Sequence, residues 1–334
     1  MIVQTRPQFI KKMNLIVSIL LVVFCVSLNA AESVKKPRFK KNIIKETFKF
    51  NSSTKATVAL EDLKQGCPDR DCIPAINKPK FIPIEEAEFL TAEDLVIVAS
   101  YKGITKIYSR NMLESHEIVN DWFGSLPIAV TFCPLCGTAV ATIRIVDGQP
   151  TEFGVSGVLH NSDLVMYDRR TNSLWGQLSS TAIVGEKTGT KLRKISAQLM
   201  TWPQAKQTYP KAKVLSTDTG YDYNYLKPNY QKYYDSDKVV FPVSSFDARA
   251  KAKQVVYGIS LNGKSIAFTE AYLEKNNTFD QPFDDAVIHI ENKGNGDVSA
   301  HSKESREAIP ITRSYWFAWY NFHPNTVLFS GKEK

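Results

Sequence analysis

Residues that commonly build catalytic and metal sites are scarce in this sequence. Its 334 residues include five cysteines and five histidines, and no Gly-x-Ser-x-Gly nucleophile elbow surrounds Ser156, so a serine hydrolase is not expected. The formal net charge of +8 is mild, and the short basic run at 35–41 is typical of a solvated linker. No nucleic-acid partner is therefore expected. The sequence assigns no catalytic residue, no organic substrate and no organic cofactor.

The chain also lacks an apolar run long enough to indicate a membrane span at its start. Residues 15–26 are apolar, follow Arg6, Lys11 and Lys12, and precede a stretch of small residues. This is the pattern of a secretory signal peptide with cleavage after Ala30. We therefore expect a periplasmic or secreted protein with no transmembrane span in the mature chain.

Helical signals are few and short, whereas strand-like segments recur along the whole chain. This balance predicts an α+β fold with mainly antiparallel β-sheets and short helices. The predicted strands are 95–99, 107–108, 128–132, 139–146, 164–167, 255–260 and 287–290, and the predicted helices are 85–90, 110–120, 202–209 and 270–275.

An internal repeat accompanies these segments. Residues 95–114 and 255–274 each read as strand, glycine turn, strand and short helix, and 202–216 resembles 316–330. We interpret this as duplication of a strand-turn-strand-helix unit whose second copy lacks the cysteine hairpin. The predicted organisation is a signal peptide at 1–30, a linker at 31–60, a first repeat with the Cys/His site at 61–225 and a second, shortened repeat at 226–331.

Four cysteines remain once the signal peptide is removed. An even number in an oxidising compartment favours disulfides, and four cysteines allow three pairings. Cys67 and Cys72 have four residues between them and no knuckle glycine. We therefore expect these two to form a disulfide rather than half of a metal site.

The other two cysteines, Cys133 and Cys136, lie in the segment CPLCGT between two apolar, strand-forming runs. The pattern predicts a β-hairpin with both cysteines in its turn and Gly137 at a positive φ. Such a turn is one half of a tetrahedral zinc or iron site. A thioredoxin-type motif would instead precede a helix, and the TAVATI that follows is a poor helix former. Redox chemistry outside that fold stays open.

Polar stretches on either side of the cysteine turn supply further candidate residues. His116 and Asn120 share one face of a predicted helix end, as do Glu117 and Asp121. The polar run at 161–163 lies between apolar strands and is typical of a turn. The full set of additional candidates is Glu117, Asn120, Asp121, Asn161, Asp163, Asp168 and Arg169, the last two expected as a strand-end ion pair. The tyrosine-rich stretch 221–234 is predicted to be an interdomain linker wrapped on the body.

Together these segments resemble a bacterial family catalogued as a domain of unknown function, number 3179. The matching motifs are IPAI at 73–76 with PKF at 79–81, HEIVND at 116–121, CPLCGT at 133–138, NSDLVMYD at 161–168, SLW at 173–175 and DTGY at 218–221. The resemblance covers most of the mature chain and implies fold membership but no established activity. Cys72 and His160 depart from the family pattern, which argues against a family-wide four-cysteine site and against His160 as an essential ligand.

The leading hypothesis is a transition-metal site. Cys133 and Cys136 are soft ligands, His116 adds a nitrogen, and His160 or Asp163 completes the set; copper, zinc and iron all suit such ligands. Two alternatives stay open, a thiol–disulfide oxidoreductase and a non-catalytic binding scaffold stapled by disulfides. The identity of any macromolecular partner is not indicated.

Overall fold

A computed structural model of the protein describes Met1 and residues 39–331; the predicted signal peptide lies outside the described residues apart from Met1. Numbered along the chain, the strands are β1 (Leu63–Gln65), β2 (Phe81–Pro83), β3 (Leu95–Tyr101), β4 (Ile104–Ser109), β5 (Ile118–Phe123), β6 (Leu126–Cys133), β7 (Thr138–Ile143), β8 (Ile145–Val146), β9 (Gln149–Pro150), β10 (Phe153–His160), β11 (Asp163–Asp168), β12 (Leu174–Gly176), β13 (Thr181–Val184), β14 (Lys194–Thr201), β15 (Lys213–Leu215), β16 (Val255–Leu261), β17 (Lys264–Thr269), β18 (Thr278–Phe283), β19 (Ala286–Asn292), β20 (Val298–Ser302), β21 (Thr312–Tyr315) and β22 (Val327–Phe329). The α-helices are α1 (Arg110–His116), α2 (Trp202–Thr208), α3 (Gln231–Tyr234), α4 (Glu270–Lys275) and α5 (Trp316–Phe322). Shorter helical turns are Ile43–Thr47, Leu60–Asp62 and Ile84–Glu86.

These strands form mostly antiparallel sheets, which confirms the mainly β prediction. The largest sheet has the order β2-β15-β4-β3-β14-β7-β6-β5, and the next has the order β1-β10-β11-β12-β13. Smaller sheets follow the orders β21-β16-β17-β22, β18-β19-β20 and β8-β9. Within the named sheets of the described chain, the pairs β4–β15 and β17–β22 are parallel and the other pairs are antiparallel.

Strand order and register are the same in the four-stranded sheet and in part of the eight-stranded sheet. The order β14-β3-β4-β15 corresponds to β21-β16-β17-β22, with one parallel pair in the same place. Val96 lies opposite Ser109 in the first set, and Val256 lies opposite Thr269 in the second. A helix and a three-stranded segment follow each hairpin, α1 with β5–β7 and α4 with β18–β20.

Two helix predictions were too long. The predicted helix at 110–120 ends at His116, because Glu117 adopts a left-handed conformation (φ 58°) and Ile118 and Val119 pair with Thr131 and Val130 in the sheet. β-branched residues gain more from a pleated, half-buried strand than from a helix. His116 and Asn120 consequently do not share a helix face, and neither do Glu117 and Asp121. The predicted helix at 85–90 is only the short turn Ile84–Glu86.

The cysteine hairpin lies where several elements meet in the core. Cys133 and Cys136 belong to a buried apolar cluster that includes Phe153 and Trp175 from the five-stranded sheet and Phe317 from α5. Residues far apart in the chain therefore surround the turn. The second half thus contributes directly to the environment of the cysteines.

The disulfide and the helices complete the description of the fold. Cys67 and Cys72 form a disulfide, as predicted, which is compatible with an extracellular location. No helix in the described part of the chain combines the length and apolarity needed to cross a bilayer.

Candidate metal centre

Three buried side chains converge at the end of the cysteine hairpin. Cys133 ends β6, Cys136 lies in the turn, and Asp163 begins β11 on the neighbouring sheet. One ligand atom from each lies within 4.8 Å of the other two. Cys133, Cys136 and Asp163 are respectively 1%, 0% and 0% exposed, so this is a site in the interior of the protein. Both thiols are free, in contrast to Cys67 and Cys72.

The local sequence explains the shape of the cysteine turn. Cys133 lies opposite Thr138 in the hairpin, and Gly137 has the predicted positive φ of 61°. The turn is also held from outside, because the Tyr315 N–H donates a 2.8 Å hydrogen bond to the Cys136 carbonyl. Arg313 Nη1 donates to the Gly137 carbonyl at 3.3 Å. Strand β21 of the second half therefore supports the turn that carries the thiols.

A second tight turn delivers Asp163. His160 pairs with Asp163, and the two residues between them, Asn161 and Ser162, both have left-handed conformations (φ 51° and 63°). This is the backbone pattern of a two-residue hairpin with two positive φ values. The Ser162 carbonyl oxygen lies 3.7 Å from Cys133 Sγ and 3.4 Å from Cys136 Sγ. The turn thus brings a carbonyl as well as a carboxylate to the thiols.

The Asp163 carboxylate is only half satisfied. Its Oδ2 accepts a 2.9 Å hydrogen bond from the Leu178 N–H. Its Oδ1 is buried and accepts no N–H or O–H hydrogen bond among the described residues, and the Cys136 thiol is the group that interacts with the carboxylate. Leaving a buried carboxylate oxygen without a partner is costly, and a bound cation would remove that cost.

Burial dominates the electrostatics of the cluster. It raises the pKa of Asp163 to about 7 and the pKa of both thiols, that of Cys136 well above its usual value. The charge of Asp163 contributes further to raising the thiol pKa values. Without a cation, the low dielectric therefore favours neutral thiols and a protonated carboxyl group.

Two more ionisable groups, the buried Glu117 and the half-buried Lys194, lie in the field of Asp163. Burial, assisted by the charge of Asp163, raises the pKa of Glu117 to about 8. Burial lowers the pKa of Lys194 to about 8 although the charge of Asp163 opposes that shift, and Lys194 Nζ donates to the Leu178 carbonyl at 2.6 Å. Glu117 was a candidate from the sequence, whereas Lys194 was missed. No sequence signal marks Lys194, because it is an ordinary polar residue at the start of β14.

The structure does not bring His116 into this group. Its Nδ1 lies 2.7 Å from the Pro74 carbonyl oxygen and its Nε2 lies 2.6 Å from the Tyr225 hydroxyl. Both ring nitrogens therefore have partners, and the rings of Tyr221 and Tyr223 lie against the imidazole. A metal role for His116 stays a prediction.

His160 also lies outside the group of three ligands. Its Nδ1 is buried without a hydrogen-bond partner in the described chain, and its ring contacts the ring of Phe322 at a centroid distance of 5.7 Å. Because this nitrogen has no partner, it could accept a metal ion, and the ligand role of His160 stays a prediction.

Asn120 and Asp121 have structural contacts. Asn120 is fully buried and exchanges hydrogen bonds with the backbone N–H and carbonyl of Phe153 at 3.0 and 2.8 Å, joining the two main sheets. Asp121 accepts from Lys106 at 2.8 Å and from the Tyr108 hydroxyl at 2.6 Å. These contacts account for both polar residues without a ligand.

The expected ion pair between Asp168 and Arg169 was wrong. Arg169 lies in the turn that follows β11 and pairs instead with Asp71 at 2.9 Å. Asp168 accepts hydrogen bonds from Trp175 Nε1 at 2.9 Å and from the Thr171 hydroxyl at 2.7 Å. Asn161 contacts Ser244, whose N–H donates to Asn161 Oδ1 at 2.7 Å.

Residues 226–246, here called the strap, run beside the site. The Tyr233 hydroxyl donates to the Leu135 carbonyl in the cysteine turn at 2.7 Å, and the Ser162 hydroxyl donates to the Phe241 carbonyl at 2.8 Å. The strap therefore contacts both turns that carry the candidate ligands. Within the tyrosine-rich stretch, Tyr225, Tyr233 and Tyr234 contact the body of the protein, and the role of this stretch as an interdomain linker stays a prediction.

Comparison with known proteins gives a family but no activity. No curated protein and no solved structure matches the chain significantly. The family described as "Protein of unknown function (DUF3179)" matches residues 70–308. This range includes the three converging side chains and Cys72, whereas Cys67 lies just before it. Because this match covers well over half of the chain and is to the family that the sequence resembles, the protein belongs to the DUF3179 family.

Proposed function

We propose that this protein binds a divalent transition-metal ion through Cys133, Cys136 and Asp163. The observation that carries the proposal is the convergence of two buried thiols with the buried Asp163 carboxylate, whose Oδ1 receives no N–H or O–H hydrogen bond among the described residues. A cation at this point would satisfy that oxygen and would favour the ionised forms of both thiols. The Ser162 carbonyl, which already faces both sulfur atoms, is a candidate fourth ligand.

The ligand set favours zinc among the three metals considered. Two thiolates and one carboxylate are common ligands of Zn²⁺, whereas Cu⁺ prefers sulfur and nitrogen and gains little from a carboxylate. Iron stays the second candidate. With three side-chain ligands and a carbonyl, the ion would be enclosed in the interior, so we propose metal storage or structural binding rather than metal-assisted hydrolysis.

Thiol–disulfide exchange is less well supported. Exchange needs an accessible thiolate, which proteins obtain by lowering the thiol pKa. Here both thiols are buried and burial raises their pKa values. A structural Cys133–Cys136 disulfide is the remaining alternative, because an oxidising compartment favours it.

Two wider proposals accompany the site. The signal-peptide pattern and the Cys67–Cys72 disulfide support a periplasmic or secreted location. The shared strand order and register support an internal duplication. The second half has a hairpin, β19–β20, at the place of the cysteine hairpin, so in this duplication the second copy would lack the cysteines and not the hairpin itself.

Elemental analysis combined with a thiol count tests the metal proposal. Protein purified from the exported fraction is expected to hold about one zinc or iron ion per chain, with Cys133 and Cys136 protected from alkylation until a chelator is added. We expect Cys133→Ser and Asp163→Asn each to reduce the retained metal at least about tenfold. The matched control is Cys67→Ser/Cys72→Ser, which removes the other sulfur pair and should leave the metal content unchanged.

The opposite result would identify the alternatives. If the purified protein contains neither metal nor free thiols, Cys133 and Cys136 form a disulfide and the proposed metal site is wrong. Its reduction potential would then separate an exchange enzyme, at roughly −120 to −270 mV, from a structural bond below about −300 mV.

A further inference from the structure

A second group of metal-ligating side chains lies on the three-stranded sheet β18-β19-β20. Asp280 is directly opposite His289, and His289 is directly opposite His301, so the three residues form one row across the strands. Ile288 and Ile290, on either side of His289, are buried. The alternation of a strand therefore puts the row on the solvent face of this sheet.

The contacts within the row are those of a histidine prepared to bind an ion. His289 Nδ1 and Asp280 Oδ1 are 2.8 Å apart, and the rings of His289 and His301 have centroids 4.8 Å apart. A histidine that donates from one ring nitrogen to a carboxylate has its tautomer and ring orientation set for ligation through the other nitrogen. Asp280 thus holds the Nδ1 side of His289, and Nε2 is the ring nitrogen left for ligation.

Two cations border the row and compete with an ion. Lys303 Nζ donates to Asp280 Oδ2 at 2.6 Å. Arg306 Nη1 lies 3.4 Å from His301 Nε2, where it donates to the nitrogen that an ion would use. Glu291, two residues from His289 on the same face, is paired with Lys293 at 3.3 Å.

We propose that His289 and His301 form a second, solvent-facing site for a divalent ion that prefers imidazole, such as Cu²⁺, Ni²⁺ or Zn²⁺. Two imidazoles 4.8 Å apart reach one ion by small side-chain rotations, and Asp280 orients His289 from behind. Arg306 leaves His301 when the ion binds. This site uses no residue of the thiol cluster, so it does not depend on the function proposed above.

Calorimetric titration of the full mature protein with Ni²⁺ tests the proposal. The parent should carry Cys133→Ser to remove the thiol site, and the same titration on protein with native cysteines controls for that change. One ion per chain is expected, with affinity lowered at least about tenfold by His289→Ala and by His301→Ala, because each removes half of the chelate. Arg306→Gln should raise the affinity several-fold, since a competitor for His301 is removed.

Asp280→Asn and Asp284→Asn provide a matched pair. Both carboxylates accept from a lysine, but only Asp280 contacts a histidine. Asp280→Asn should lower the Ni²⁺ affinity about tenfold, and Asp284→Asn should leave it unchanged. Equal affinity in the parent and both alanine variants, or binding that is present only with native Cys133, would overturn the second site.

Discussion

At the scale of single residues, burial separates the two cysteine pairs of this protein. Cys67 and Cys72 are bonded to each other in a loop near the surface, whereas Cys133 and Cys136 are free and enclosed with Asp163. An ionisable group inside a protein shifts toward its neutral form unless a partner of opposite charge is present. The fully buried Asp163 carboxylate would therefore be stabilised most directly by a bound cation.

His323 shows how burial also sets the response of this protein to acid. Its ring lies 4.0 Å from the ring of Trp319, and its Nε2 is buried with no hydrogen-bond partner in the described chain. Burial, assisted by the charge of Lys194, lowers the pKa of His323 to about 3. Because its unfolded-state pKa is near 6.5, the stability that His323 contributes is present above about pH 6.5 and is lost as the pH falls toward 3.

Replacing His323 should therefore flatten the acid dependence of stability. One proton bound only by the unfolded chain costs about 1.4 kcal/mol per pH unit. We expect His323→Phe, which keeps an aromatic ring, to reduce the slope of the unfolding free energy between pH 6 and pH 4 by roughly 1 kcal/mol per pH unit. Urea denaturation at pH 6, 5 and 4 measures this slope. An unchanged slope would mean that His323 is protonated in the folded protein.

At the scale of elements, the strap covers the site without being buried itself. Each of its residues, 226–246, is partly or fully exposed. Polar contacts hold the strap: Glu114 accepts from the Asn229 N–H at 2.6 Å and from the Tyr234 hydroxyl at 2.7 Å, and Tyr233 donates to Leu135. Its apolar contacts with the cluster around the cysteines come from the partly buried Tyr233, Val239 and Val243. Segments with few apolar contacts open locally at lower free energy than sheets do. We therefore infer that reagents and ions reach the buried thiols by opening of the strap.

Removing one strap contact should make the thiols more reactive. Tyr233→Phe removes the hydrogen bond to the Leu135 carbonyl, which is worth about 1 kcal/mol and corresponds to roughly a fivefold change in an equilibrium. In reduced, metal-free protein we expect Cys133 and Cys136 to be alkylated about fivefold faster in this variant. Tyr223→Phe, on the exposed side of the tyrosine cluster, should leave the rate unchanged. Equal rates in both variants would show that the thiols become accessible by another route.

At the scale of the whole molecule, the second half supports the site that only the first half carries. Strand β21 donates to the carbonyls of Cys136 and Gly137, and Asp297, just before β20, accepts from Gln198 and Thr208 of the first half. The two halves are therefore joined by hydrogen bonds close to the cysteine turn. Loss of these hydrogen bonds should therefore weaken metal binding at Cys133, Cys136 and Asp163.

Gly137 tests this contact between the halves. A Cβ atom at Gly137 would lie 3.1 Å from the Tyr315 ring, whereas a Cβ at Gly103, also at positive φ, would meet no atom within 4 Å. Both Gly→Ala changes put an alanine into a left-handed backbone conformation, which lowers the free energy of unfolding by about 1–2 kcal/mol. We expect Gly137→Ala to cost roughly a further 1 kcal/mol through crowding and to weaken metal retention. Urea denaturation of both variants separates the two effects; equal losses would contradict a supporting role for Tyr315.

Local features of this protein were predictable because they depend on neighbours in the sequence. The hairpin around Cys133 and Cys136, the positive φ of Gly137, the Cys67–Cys72 disulfide and the family membership all follow from short motifs. Alternation, turn residues and cysteine spacing act over a few residues, so a single sequence records them. The helix at 110–120 failed at Glu117, where sheet pairing outweighed the local helical pattern.

Only the tertiary structure decided which side chains meet. The sequence by itself determined that a tight turn joins the two cysteines and that Asn161 and Ser162 form another turn just before Asp163. The packing of the two main sheets decided that Asp163, rather than His116, converges with the thiols, and that Lys194 and Glu117 lie in its field. Contacts between distant segments depend on how whole sheets bury their apolar faces, and no local pattern encodes that outcome.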